Sequence, residues 1–229
     1  MGKLNIDHAR INAAITRAEA TTSGEITCVL KARAMDYGET PLAWGFGTAL
    51  VLPLILALFG IRVDELVPVQ VAGWQAAHAT LASYNHLQNL AIYGLFQLLI
   101  FGVVYLVVRF TALKLWLTPR SIKHRKAREK ATEQFYARGL HKTESHTGVM
   151  IFCALEEHFV AVIADSGIHA RVDQALWKDT VAALLKHIKK GDLTSGFEAA
   201  VALCGDALTQ HFPAGAENRN ELPDVLIEI

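Results

Sequence analysis

The sequence has no surplus of either charge: Lys plus Arg and Asp plus Glu number 22 each. A chain without a net field carries no electrostatic pointer to nucleic acid or to a strongly charged substrate. Cysteine is scarce as well. Cys28, Cys153 and Cys204 sit in apolar surroundings with no CxxC and no framework spacing, which excludes a disulfide scaffold and fits small core residues in a reducing compartment. No GxGxxG, Walker loop or G-x-S-x-G occurs, so the loops that hold dinucleotides, nucleoside triphosphates or a nucleophilic serine are missing. Ser166 stands at a turn in "DSGI" but has no partner histidine that spacing identifies. The ten histidines form no HExxH and no Cys/His pair at ligand spacing; they read as surface and edge residues rather than zinc ligands.

Charge is also absent from two long stretches, Pro41 to Ile61 and Leu87 to Val108. Each is about the twenty residues a helix needs to cross the hydrocarbon of a bilayer. Helices buried in a soluble core rarely stay charge-free for so long, and the polar-patterned residues before the first run speak against a cleaved signal peptide. Two transmembrane spans are expected. Lys3, Arg10, Arg17, Lys31 and Arg33 precede the first, and Arg109, Lys114, Arg120, Lys123, Arg125, Lys126, Arg128 and Lys130 follow the second. The connector, residues 62–86, has Arg62 alone. The positive-inside rule then places both termini in the cytoplasm. Within the connector, Val71, Trp74, Ala77, His78 and Leu81 share a helical face, the pattern of a short interfacial helix or a loop. Gly45, Gly47 and Gly60 permit close helix packing, and the spans hold no charge that would mark a proton or solute path.

The remaining sequence is patterned like a soluble domain. Leu4 to Ala20 reads as a helix with Ile11, Ala14, Ile15 and Ala18 on one face, stopped at Gly24 in the left-handed conformation. Glu25 to Arg33 alternates as a strand. After Pro119, which ends a helix continuing through Leu117, a helix capped by Ser121 carries Ile122, Ala127, Ala131 and Phe135 and closes at Gly139. Two apolar runs, Gly148 to Leu155 and His158 to Ala164, flank Glu156-Glu157 as a tight hairpin. Val172 to Lys189 is helical and ends at Gly191; Ser195 and Glu198 have the spacing of a capping box and open a last helix with Phe197, Val201, Leu208 and Phe212 inward. The segment from Pro213 reads as irregular.

One helix and one strand before the spans cannot bury their own apolar faces, and two strands with three helices after them make an incomplete sheet. Joined, they form one α/β domain: a small central sheet of at least three strands with helices packed on it, interrupted by an inserted two-helix transmembrane hairpin. The parts are residues 1–40, the hairpin 41–118, and residues 119–229.

Several motifs carry a resemblance: "TTSGEITCVL", then A-x3-F-x3-GL-x-K-T-x3-TGVMIF, "HFVAVIADSGI", Trp177, and the final "HFP" and "NELPD". In order and spacing these resemble the TPM domain, found in thylakoid lumen proteins, an auxiliary protein of an acetylcholine receptor, and many bacterial membrane proteins. The resemblance implies a small sheet with helices on it; the two spans, with both termini cytoplasmic, make a bacterial inner membrane the expected location. Members have been linked to acid phosphatase activity and to assembly or repair of membrane complexes. Here the hairpin lies inside the domain, where relatives have one anchor outside it.

For chemistry, Asp165 follows a buried strand and precedes Ser166-Gly167, so its carboxylate emerges at a strand end, where α/β sheets build sites. With Glu221 and Asp224, and with Glu25 before the first strand, it would hold a divalent cation, Ca or Mg, and act on a phosphate ester through it. The alternative for Asp165 is a turn-forming Asp-Ser-Gly, and for Glu221 and Asp224 a solvated segment held by Pro223. The run "RSIKHRKAREK" lies just beyond a span, where basic residues meet anionic headgroups; nucleic acid is not expected. The expected function is partner binding or assembly of a membrane complex, with a metal-dependent phosphatase as the alternative.

Overall fold

The computed structural model describes residues 6–61, 82–169, 171–215 and 220–229, with side chains in the second segment from Leu90 onward. The connector face built on Val71, Trp74 and Leu81 lies outside the described residues. Contacts divide the chain into two compact units, one of Met1–Met35 with Arg120–Ile229 and one of Asp36–Pro119.

The first unit is a four-stranded sheet between helical layers. Helix α1, His8–Glu19, starts at Asp7, whose carboxylate accepts from the Arg10 N–H at 3.1 Å. Strand β1 is Glu25–Lys31. Helix α5, Arg120–Ala137, leads through a 3-10 turn, Leu140–Lys142, to β2, Gly148–Ala154, and β3, Phe159–Ala164. A short α6, Ser166–His169, precedes α7, Gln174–Ile188, and α8, Leu193–His211; β4 is Leu226–Glu228. The order across the sheet is β3-β2-β1-β4, with β1 parallel to both neighbours and β3 antiparallel to β2. One face packs Ile26, Cys28, Val149 and Ile151 against α1, α7 and α8. The other packs Val29, Met150 and Phe152 against Ala127, Ala131 and Phe135 of α5. Burial of every residue of β2 follows from this sandwiching. All three cysteines are buried and free.

Several local expectations are corrected. Gly24 is not left-handed; a Cβ there would lie 3.0 Å from Leu208 Cδ1 and 3.3 Å from the Thr147 carbonyl, so space fixes the residue. Gly139 and Gly191 do end their helices left-handed, both at φ 77°. Helix α5 begins at Arg120 directly after Pro119, so Ser121 lies within its first turn. Asp192 caps α8 by accepting from the Ser195 N–H at 3.0 Å, and Glu198 pairs with Arg10 at 2.6 Å instead of closing a box. The expected irregular segment holds β4, which adds a fourth strand. Between the strands of the hairpin, Glu157 is buried and accepts from the Ala34 N–H at 3.1 Å, while Glu156 pairs with Arg33.

The second unit contains α2, Glu39–Leu58, α3, Ala82–Phe110, and α4, Leu113–Leu117; a break at Thr111–Ala112 separates the last two where one helix was expected. Helices α2 and α3 pack on each other. Pro41, Gly45, Ala49 and Pro53 form the buried row of α2, and the Phe46 and Phe101 rings are 5.0 Å apart. A Cβ at Gly45 would lie 2.9 Å from Phe101, whereas Gly47 and Gly60 meet nothing within 4 Å. Glu39–Leu58 and Leu90–Phe110 are long and apolar enough to cross a bilayer. Many of their large side chains face outward, Leu58 at 87% exposure and Phe110 at 80%, while Ile100 and Val108 are buried. Beside them Asp36 pairs with Lys114, and with Arg109 at 3.4 Å, and its carboxyl is held below the usual range by the Lys114 ammonium.

Candidate functional site

The N-terminal ends of β1 and β2 meet the C-terminal end of β3 along one rim of the sheet. Glu25 stands opposite Gly148, and the Asp165 N–H donates to the Gly148 carbonyl at 2.9 Å. The row Glu25, Gly148, Asp165 therefore crosses three strands, roughly 10 Å in all at the usual strand spacing.

Each carboxylate on this rim has a defined partner. Buried Glu25 accepts from the N–H groups of Glu221 and Leu222 at 3.2 and 3.1 Å. Burial pushes its pKa up and the two bonds oppose that. Glu221 accepts from the Glu144 N–H at 3.2 Å. Asp224 accepts from the Thr16 hydroxyl at 2.8 Å and from the Asn220 amide at 2.6 Å. The segment from Asn220 to Asp224 is thus sewn to β1, α1 and the loop before β2.

Asp165 is engaged differently. One oxygen accepts from the Ser166 N–H at 2.7 Å, as the turn reading anticipated, and the other lies 3.0 Å from Nδ1 of His146. His146 is held at φ 53°, and a Cβ at Gly167 would lie 2.7 Å from its carbonyl, so the loop and the turn after β3 touch through backbone. The ring is more than half exposed. An ionised carboxylate at Nδ1 fixes the imidazole tautomer and leaves Nε2 to accept a proton, the arrangement of an oriented general base. Sequence reading missed this residue: no spacing rule links positions 146 and 165.

A buried carboxyl that the sequence did not announce lies behind the rim. Glu19 accepts from the Ile26 N–H at 2.6 Å. Burial, with Asp224 and Glu25 close by, raises its pKa to about 9, so it is neutral near pH 7.

The rim brings Glu221 to Glu25 and Asp224 to the Glu19 side of the sheet, and joins Asp165 to His146. Among the described residues, no group of three or more His, Cys, Asp or Glu side chains is placed to hold a metal ion. The oxygens expected to ligate a cation are directed at backbone N–H groups and neighbouring side chains, and no step through a metal follows from them.

The family model described as TPM domain matches residues 115–207, the segment holding Asp165, His146 and both strands of the hairpin. This chain carries a TPM domain. The unit built around the TPM domain also takes in α1 and β1 before the matched residues and β4 after them, and the two strands complete its sheet. The fold is similar to the NMR structure of the BA42 protein from the psychrophilic bacterium Bizionia argentinensis, with a TM-score of 0.55 over 100% of this chain and 99% of that one. At 17% identity the likeness is one of fold. Comparison with curated proteins gives no match.

Proposed function

We propose that the chain is a two-span protein of a bacterial inner membrane whose TPM domain faces the cytoplasm and binds a protein partner, helping a membrane complex to assemble or persist. The observation that carries this is the outward apolar surface of α2 and α3. Side chains such as Leu54, Leu58, Leu98 and Phe110 are exposed, far beyond the patch a monomer leaves in water. A bilayer is the solvent that suits them. The excess of Lys and Arg in both flanking segments sets the orientation, and the basic start of α5 meets anionic headgroups. Glu25, Glu221 and Asp224 are occupied in holding the chain to itself, which supports binding over a metal-dependent turnover.

Membrane fractionation with alkaline carbonate and topology reporters test the first half. The protein is expected to stay in the pellet, with a cytoplasmic reporter active at both ends and a periplasmic one active within residues 62–86. Extraction by carbonate would remove the membrane reading. In-cell cross-linking from the TPM domain to a membrane protein tests the second half.

The paired His146 and Asp165 support a second reading, hydrolysis of phosphate esters with His146 moving the proton. The check is p-nitrophenyl phosphate turnover by the solubilised protein with calcium, with magnesium and with neither. Activity that disappears in His146→Ala would establish it, and no activity in any condition would end it.

A further inference from the structure

Strand β3 is the open edge of the sheet, and it lies at the bottom of a cleft of about 580 Å³ walled by α5 and α7. The bond from the Asp165 N–H to Gly148 fixes which backbone groups point where. Antiparallel partners alternate, so Phe159, Ala161 and Ile163 turn their N–H and C=O groups to β2, and Val160 and Val162 turn theirs outward. The Leu155 N–H, bonded to Lys31 on the far side of β2, agrees with this parity. Among the described residues no hydrogen bond reaches the outward groups of Val160 and Val162.

Natural sheets blunt such edges with charge, proline or bulges. The stretch FVAVIA has none of these. It is recessed instead: Val181 and Leu185 line one wall, and Arg128 and Thr132 the other. Arg128 and Lys178 give the cleft its charge, no acidic residue lines it, and neither cation makes an ion pair among the described residues. The acids nearest in sequence to Arg128 are taken, Glu129 by Arg125 and Glu133 by Lys130.

We propose that this cleft takes an extended segment of a partner protein, alternating aliphatic and acidic residues, which adds to β3 as a fifth strand. Main-chain bonds to Val160 and Val162 supply affinity, and the acidic side chains meet Arg128 and Lys178. The opposite edge shows that the sheet accepts a short added strand, since β1 is already extended there by the chain's own Leu226-Ile227-Glu228. A second copy joined through β3 would bring two sets of the same cations together, which disfavours it. This inference rests on the partner-binding reading and gives that reading a surface.

The test uses the full chain in detergent and a short fluorescent peptide alternating valine with glutamate. Binding is expected to weaken roughly tenfold in Arg128→Glu/Lys178→Glu, as for lost charge-assisted contacts, and to vanish when alternate peptide nitrogens are methylated. Val162→Pro removes an outward N–H without touching the ladder, a position where edge strands tolerate proline. It is expected to abolish binding while the far-ultraviolet spectrum stays native, with a lowered melting temperature because the Val162 side chain packs on the core; should it unfold, the methylated peptide carries the test. Equal binding of the methylated peptide, equal binding of a valine–lysine peptide, or no binding overturns the proposal. So does self-association lost in Val162→Pro without peptide binding, which would make a second copy the occupant. Absent peptide binding with the membrane cross-link retained removes this cleft and leaves partner binding intact.

Discussion

The carboxylate of Glu25, on the first strand, holds the backbone of Glu221 and Leu222 through two hydrogen bonds. Glu25 thus ties the last described segment to β1, and the Leu226 N–H, donating to Asn12 at 2.9 Å, ties it to α1. Glu25→Ala leaves two amides without their acceptor and is expected to cost about 1–3 kcal/mol. Glu25→Gln, which keeps one oxygen, should cost less. Hydrogen exchange at Leu226 to Glu228 reads the effect locally, and unchanged exchange in Glu25→Ala would mean that strand pairing alone holds β4.

Glu19 makes stability depend on pH. Its pKa is about 9 in the fold against 4.5 for the free group. Between those values the folded chain keeps a proton that the unfolded chain releases, so unfolding becomes easier as pH rises. The contribution is whole below the lower value and lost by the higher, with a slope of up to about 1.4 kcal/mol per pH unit. Glu19→Gln, neutral at every pH, should flatten the profile between about pH 5 and about pH 8 in urea unfolding. A wild-type profile that is already flat there would contradict the raised pKa.

Two glycines should fail for different reasons. A Cβ at Gly148 would stand 2.4 Å from the Leu140 carbonyl, so Gly148→Ala must push the 3-10 turn away from β2, at roughly 1–3 kcal/mol. Gly139 meets nothing within 4 Å but sits at φ 77°, so Gly139→Ala should cost about 1–2 kcal/mol of left-handed strain. Melting curves of the two variants rank these costs; a neutral Gly148→Ala would show that the turn yields freely.

The pairing of His146 with Asp165 predicts a tautomer. Nitrogen chemical shifts of the neutral ring should place its proton on Nδ1 in the wild type and mostly on Nε2 in Asp165→Ala. The same proton on Nδ1 in both proteins would mean that Asp165 does not orient the ring.

What the sequence disclosed follows the range of the forces involved. Helix α1 with Ile11 and Ile15, the hairpin around Glu156 and Glu157, and the left-handed Gly139 and Gly191 are products of periodicity and local backbone sterics, and these were legible. Helix α8 was displaced because Ser195 and Glu198 mimic a cap, while Asp192 three residues earlier competes better and Arg10 claims Glu198. Strand β4 was missed because parallel pairing with β1 comes from distant residues, and "PDVLIEI" carries no alternation of its own. At the rim, Asp165 at a strand end was legible from the apolar run before it. Its partner was not, since His146 is brought there by a left-handed turn and by the bare backbone of Gly167.

The chain makes its central strand well before either neighbour exists. Arg33 waits 123 residues for Glu156, and Leu226 arrives later still. At about 5–20 residues per second of synthesis, roughly 6–25 s pass with β1 emerged and unpaired. During that interval Ile26, Cys28 and Leu30, all buried in the finished sheet, have no core to enter, while α2 and α3 are being made. The domain therefore cannot be completed before both apolar helices, and a nascent chain stalled between them offers a bare apolar strand to chaperones and proteases.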